Sequence, residues 1–444
     1  MNTESAKAGP EDSGRKFLFI WLQPGITGLN AMFFLYSAFA TIGLLTFVSP
    51  GTALVLNANF GLPANEQGTV SGDLVLITEI VQILVFGVVG VISDRIGRRE
   101  LFAAGIFIMG LGYLLYPFAG SVPELLIYRG IYALGLGAST GMLGTILADY
   151  PQDRSRGKFV ALAGFFNGIG VLVVTVVFGR LAPPALIEMG YDAMQTTKIV
   201  HFVVFTACAV SAVIYMLGLK KGTPGKSEER LPFKELVVSG YAEAVRNPRI
   251  GLSYAAAFVA RSDLVILGTF TVLWGTVAGV SQGMDPALAA ARGAGVFGIS
   301  QGGALLWLCV LGVFLDRFNR VTGTVFCMGM AAIGYSSMLF VEDPLARESI
   351  PLFLLLGVGQ ISAFFGATTL ISQEAPKLSR GAVVGAFNTC GAIGILVAGG
   401  LGGRLFDSIA PSAPFVLIGF LNACVMLFAI YVRIKAPGPI PVKT

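Results

Sequence analysis

Charge is what this chain has least of. Only 12% of its 444 residues are Asp, Glu, Lys or Arg, where soluble domains carry about 25%. That shortfall excludes a soluble globular enzyme, a disordered protein and a nucleic-acid-binding module. The net charge of +5 does not mark a basic protein; what matters is where the charges sit. Histidine is nearly absent: the single His201 leaves no multi-histidine site, and HExxH and ATP-binding motifs are missing. Cys208, Cys309, Cys327, Cys390 and Cys424 all lie inside apolar runs without a CxxC or metal-ligand spacing, so they read as small membrane residues. Neither enzyme activity, a metal nor a cofactor is called for, and an ion gradient is the natural energy source.

What the chain has is long apolar runs, with 55% hydrophobic residues overall. A bilayer core of about 30 Å needs roughly 20 apolar residues as a helix. Cutting at charged or Pro/Gly-rich breaks gives twelve spans: 28–50, 68–93, 101–118, 124–148, 157–180, 198–219, 251–279, 292–315, 321–340, 350–373, 381–404 and 411–433. The runs are continuous rather than alternating, which implies helices and not a barrel. Phe17 to Asn65 carries no charge. It is too long for a signal-peptide core and has no convincing cleavage site before a soluble domain, so the N-terminus is expected to be retained. Phe17 to Pro24 is expected at the membrane surface.

Lys and Arg set the orientation. Twenty-three fall on the side of the N-terminus and five on the other: Arg180, Lys198, Arg292, Arg347 and Arg404. Both termini are therefore expected in the cytoplasm. The expected organisation is a tail over 1–16, a six-helix bundle over 17–219, a polar loop over 220–250, a second bundle over 251–433 and a tail over 434–444.

The second half repeats the first. Asp94-Arg95 after span 2 and Asp316-Arg317 after span 8 are offset by 222 residues. Ser155-Arg156-Gly157 and Ser379-Arg380-Gly381 open spans 5 and 11 at an offset of 224; Gly179-Arg180-Leu181 and Gly403-Arg404-Leu405 close them at the same offset. Matched places at nearly one offset indicate duplication.

The loop after span 2 resembles the signature of the major facilitator superfamily, G-x-x-x-D-R-x-G-R-R, at Gly90, Asp94, Arg95, Gly97, Arg98 and Arg99. The resemblance covers nearly the whole chain. It implies an all-α membrane protein of two pseudo-symmetric six-helix bundles around a central cavity, opening to each side in turn. It also implies a latch on the cytoplasmic side, with Asp149 as acidic partner to the loop. Asp316 and Arg317 form the degraded copy, with Asn319 in place of the second glycine.

Ionisable groups in hydrocarbon are costly and usually face a cavity or a partner. Glu79 in span 2 lies near the midplane, where a carboxylate can load and unload a proton or serve a structural ion pair, with Arg129 for instance. Arg261 and Asp263 lie near the midplane of span 7, two residues apart and so on different sides of the helix. Arg261 suits a carboxylate or phosphate group; Asp263 suits proton exchange or neutralisation of Arg261. The resemblance links Arg129 to proton coupling, against a snorkelling or structural role. The resemblance implies that span 6 lies at the bundle periphery, so His201 near its start reads as structural, with pH sensing as the alternative. Asn167, Gln301, Gln360 and Asn388 are candidate cavity walls. The glycines of Gly391–Gly394 and Gly399–Gly403 read as close helix contacts.

Gly164, Gly168 and Gly170 keep the glycine spacing of the drug antiporters' span-5 motif but lack its proline, and sugar-porter signatures are not evident. The leading expectation is a proton-coupled carrier of a small organic solute, preferably anionic, working as a monomer in a bacterial inner membrane with no nucleic-acid partner. The alternatives are proton-driven export of amphipathic or cationic compounds or lipids, and a non-transporting receptor or scaffold on the same fold.

Overall fold

The computed structural model describes residues 15–222, 241–376 and 380–438. Among them twelve helices are long and apolar enough to cross a membrane. They are α1 (Gly28–Asn59), α2 (Ala64–Ile96), α3 (Arg98–Phe118), α4 (Val122–Asp149), α5 (Arg156–Glu188) and α6 (Ala193–Gly218). The second set is α7 (Pro248–Ser281), α8 (Pro286–Arg317), α9 (Arg320–Phe340), α10 (Arg347–Glu374), α11 (Arg380–Ser408) and α12 (Ala413–Lys435). Each overlaps one expected span. The spans grow mostly by taking in polar end turns, such as Asn65–Gln67 of α2, that hydropathy alone cuts away.

Local sequence sets the helix starts. Thr27 accepts from the Asn30 amide, and Asp192 from that of Gln195, each in a reciprocal capping box. Asn247, Asp285 and Asn319 cap α7, α8 and α9 through the amides of Arg249, Ala287 and Val321. Pro248 and Pro286 follow two of these caps, where a missing N–H costs nothing. Gly97 ends α2 at φ +102°, a conformation that side chains disfavour, and α3 begins at the next residue.

Two cores form, one drawn from residues 20–219 and the other mainly from 250–432. The packing pairs repeat. In the first half α1 lies on α5, α2 on α4, and α3 on both α4 and α6. In the second, α7 lies on α11, α8 on α10, and α9 on both α10 and α12. The halves meet through α2 against α11 and α5 against α8, so the fold is two pseudo-symmetric six-helix bundles.

Twelve helices in succession put the start of α1 and the end of α12 on one face. There a short hairpin, β1 (Lys16–Phe17) and β2 (Ile20–Trp21), precedes α1. It is pinned to the loop after α4: Trp21 N–H donates to Ser155 Oγ at 2.9 Å, Gln152 N–H donates to the Trp21 carbonyl at 2.8 Å, and Arg154 stacks over the Trp21 ring at 4.0 Å. The turn leaves Leu18 and Phe19 exposed.

On the opposite face, here the far face, the halves are sealed. Asp407 at the end of α11 accepts from the amides of Gly68 (2.8 Å) and Thr69 (2.6 Å) near the start of α2. Arg404 pairs with Asp73 at 3.2 Å. Between them the backbones nearly touch: a Cβ at Gly403 would lie 2.3 Å from the Gly68 carbonyl, and one at Gly72 would lie 2.6 Å from that of Gly399. The glycine runs are indeed close helix contacts.

Candidate functional site

Glu79 stands at the centre of α2, 15 residues from its first residue and 17 from its last, or roughly 22–25 Å from either end. It is buried, and Gln82, one turn on, donates to it at 3.2 Å. Across the boundary between the halves, Arg261 of α7 lies within electrostatic reach of Glu79 but makes no direct ion pair with it. Arg261 instead donates to Asn388 Oδ1 of α11 at 2.6 Å. Asn388 is exposed although it sits on an inward-packed helix, which marks the wall of a cavity. Gly391 makes room: a Cβ there would meet Arg261 Cδ at 2.2 Å. A carboxyl from one half and a guanidinium from the other thus stand within electrostatic reach at mid-membrane, with the exposed Asn388 beside the guanidinium.

The structure does not bring the other sequence candidates into this cluster. Asp263 is fully buried inside the second bundle. Asn422 of α12 donates to both its oxygens (3.1 and 3.2 Å), and the Tyr335 hydroxyl of α9 donates to its carbonyl at 2.6 Å. Two residues of helix turn Arg261 toward the cavity and Asp263 away from it. Arg129 is buried in the first bundle; its Nε donates to Thr78 Oγ1 at 2.6 Å, and its guanidinium lies 4.9 Å from the Tyr132 ring centroid. It borders a small cavity with Ser49, Thr52 and Ser71. Arg129 makes no hydrogen bond or ion pair with Glu79 among the described residues, so the alternative of a structural pair between them has no direct contact behind it.

Asn167, with its amide oriented to donate, bonds the carbonyls of Ala38 (3.0 Å) and Ala163 (3.3 Å), tying α5 to α1. Gln360 is buried in α10. Gln301 of α8 is the repeat counterpart of Glu79 by the 222-residue offset, and its Nε2 is buried without a hydrogen-bond partner. His201 is fully buried, bonds the Thr197 carbonyl at 2.8 Å and packs edge-on against Phe47 at 5.2 Å.

Of the signature loop, Arg98 pairs with Asp149 at the end of α4, and Arg99 pairs with Glu100 at 2.8 Å. Arg95 is exposed. Gly90 and the side chains of Asp94, Asp316 and Arg317 lie outside the described residues, although the helices carrying them are described. Sequence reasoning missed Gln82 and Asn422 as partners. Gln82 was legible as an i+3 neighbour of Glu79; Asn422 offered no local signal.

Twelve membrane-length helices in two repeated six-helix bundles are the architecture of a transporter rather than an enzyme. The chain belongs to the Major Facilitator Superfamily, whose model matches residues 29–399. It is similar to magnetosome protein MamH of Paramagnetospirillum magneticum strain AMB-1, at 28% identity over 85% of each chain. It is also similar to magnetosome protein MamZ of that organism, at 26% identity over 85% of this chain. The match spans 58% of the length of MamZ. Among solved structures, the nucleoside transporter NupG matches 93% of this chain and all of its own with a TM-score of 0.69 at 11% identity, which is a likeness of fold. The protein is a multi-pass membrane transporter of small solutes.

Proposed function

We propose that the protein is a proton-coupled carrier of a small organic solute bearing an anionic group. The observation that carries this reading is the arrangement of Arg261 and Glu79: opposite charges from opposite halves, at mid-membrane, close but not bonded. In a low-dielectric cavity an unbalanced charge is expensive. With the site empty, Glu79 balances Arg261. A carboxylate or phosphate entering the cavity competes for the Arg261 fork, and a proton on Glu79 removes the competitor. Charge balance then favours one proton per monovalent anion, loaded together. Glu79 is the proton carrier on this reading, and Asp263, held by Asn422, is structural. The monomer contains both parts of the site.

The test is uptake into proteoliposomes under an imposed pH gradient. Glu79→Gln is expected to abolish gradient-driven accumulation while keeping exchange of one solute molecule for another. Arg261→Ala is expected to weaken binding of organic acids at least tenfold. Flux indifferent to collapse of the gradient and to Glu79→Gln would sink the coupling. Stabilisation by amphipathic cations, kept in Arg261→Ala, would replace the anion reading with export of cations.

Both termini are proposed to be cytoplasmic, from the Lys and Arg count, in a bacterial inner membrane. The likeness to MamH and MamZ supports a second location, the magnetosome. Fractionation of the tagged chain from a magnetosome-forming cell separates the two.

A further inference from the structure

The two seams between the halves are built from the same repeat but are not electrically alike. On the α2–α11 side, Arg404 pairs with Asp73 across the boundary. The repeat offsets map Arg404 of α11 onto Arg180 of α5 at 224, and Asp73 of α2 onto Gly295 of α8 at 222. The structure upholds that mapping physically. Arg180 lies across Gly295, where a Cβ would stand 2.9 Å from both its Cδ and its Nε. The arginine is retained, the room for it is retained, and the acid is gone.

In its place is more positive charge. Arg180, Arg292 of α8 and Arg347 at the start of α10 line one groove of about 420 Å³ at the far face, above apolar Val176, Val296 and Ile299. None of the three guanidinium groups has a hydrogen bond or ion pair with a described residue. Asp343, in the loop entering the groove, is committed to the Leu345 amide and Gln282. Glu348, next to Arg347, is exposed and does not line the groove. Three like charges from both halves converge on a closed seam, with no acid among the described residues paired to them.

We propose that this groove binds a multiply charged phosphate-type anion, which replaces the missing carboxylate and holds α5 against α8. Planar guanidinium forks suit phosphate oxygens. The anion bridges Arg180 of one half to Arg292 and Arg347 of the other, so its occupancy favours closure of the far face. The same chemistry is presented by a free polyphosphate or by the headgroup of an anionic lipid at that membrane surface.

The experiment uses the purified full chain. Pyrophosphate is titrated calorimetrically at constant ionic strength. In parallel, the protein is placed in nanodiscs of phosphatidylglycerol or phosphatidylcholine. There, maleimide labelling of Ser71→Cys, in a background without the five native cysteines, reports opening of the far face. A free-anion site predicts pyrophosphate binding that weakens at least tenfold in Arg180→Gln and Arg292→Gln and is unchanged in Arg261→Gln. A lipid site predicts no pyrophosphate binding, but labelling slowed severalfold by phosphatidylglycerol and not slowed in Arg292→Gln. Gly295→Asp restores the internal acid and is expected to abolish either response while the far face stays closed. No response to either probe, or a response that persists in Arg292→Gln and Gly295→Asp, overturns the proposal. Insensitivity to Arg261→Gln keeps the groove separate from the central solute site, so either reading can fail alone.

Discussion

Removing Asp407 tests how the far face is held shut. Its carboxylate accepts two backbone N–H groups from the other half, at 2.8 and 2.6 Å. Hydrogen bonds to a charged group contribute about 1.5–3 kcal/mol each. Asp407 is half-buried, so competition from water reduces the pair to a total of about 1.5–3 kcal/mol, within the range for a partly exposed charged acceptor. These bonds join opposite halves, so they exist while the face is closed and vanish when it opens. Nearly all of that energy therefore biases the conformational equilibrium, and little of it bears on the folding of either bundle. At 1.4 kcal/mol per factor of ten, Asp407→Ala should shift the closed-to-open ratio by roughly 10–100-fold. Spin labels at Glu66 and Ile409, both exposed on the far face of different halves, read the change as a distance distribution. The expected result is a second, longer population in Asp407→Ala and an intermediate one in Asp407→Asn, which keeps one acceptor. An unchanged distribution in a variant that melts normally would refute the reasoning.

Two further outcomes follow from the packing. Gly391→Ala puts a methyl 2.2 Å from the present position of Arg261 Cδ, so the arginine must leave Asn388; solute affinity should fall about tenfold with little change in melting temperature. Asn422→Leu strands the buried Asp263 carboxyl and should cost about 3 kcal/mol in a melt, a loss partly recovered when Asp263→Leu is added. If the double variant is less stable than the single one, the Asp263–Asn422 pair is not the reason Asp263 tolerates burial.

The parts of the fold written in long patterns were legible. Hydropathy located all twelve spans because a bilayer demands continuous apolar runs. The Asp94/Asp316 and Gly179/Gly403 repeats announced two bundles because duplication leaves periodic traces. Asp149 was expected beside the signature loop, and Arg98 meets it. The glycine runs of α11 were expected to bring helices close, and they do. The hairpin at Lys16–Trp21 was illegible: two residues per strand carry no period, and its stability comes from Ser155, Gln152 and Arg154, more than 130 residues away. For the site, the divergence of Arg261 and Asp263 followed from helix geometry alone. Which of them faces the cavity did not, because that depends on Asn388 and Asn422, contributed by helices more than 100 residues later. The three far-face arginines were visible as topology markers. Their convergence on one groove needed the packing of α5 against α8 and α10.

The contact of α2 with α11 has a kinetic consequence. At Gly72 and Gly403 the two helices meet backbone to backbone, while Val75 packs at Gly399 and Phe406 at Gly68, so few side chains interlock along that line. Separating interlocked side chains requires rotamer changes before any displacement, and each adds to the activation barrier. Two smooth ridges can slide or lift apart with dispersion contacts fading gradually. The sharp part of the barrier is then concentrated in a few polar ties at the ends, Asp407 and Arg404 among them. Such a surface is weakly committed in either direction, which suits a wall that must open and reseal once in every cycle.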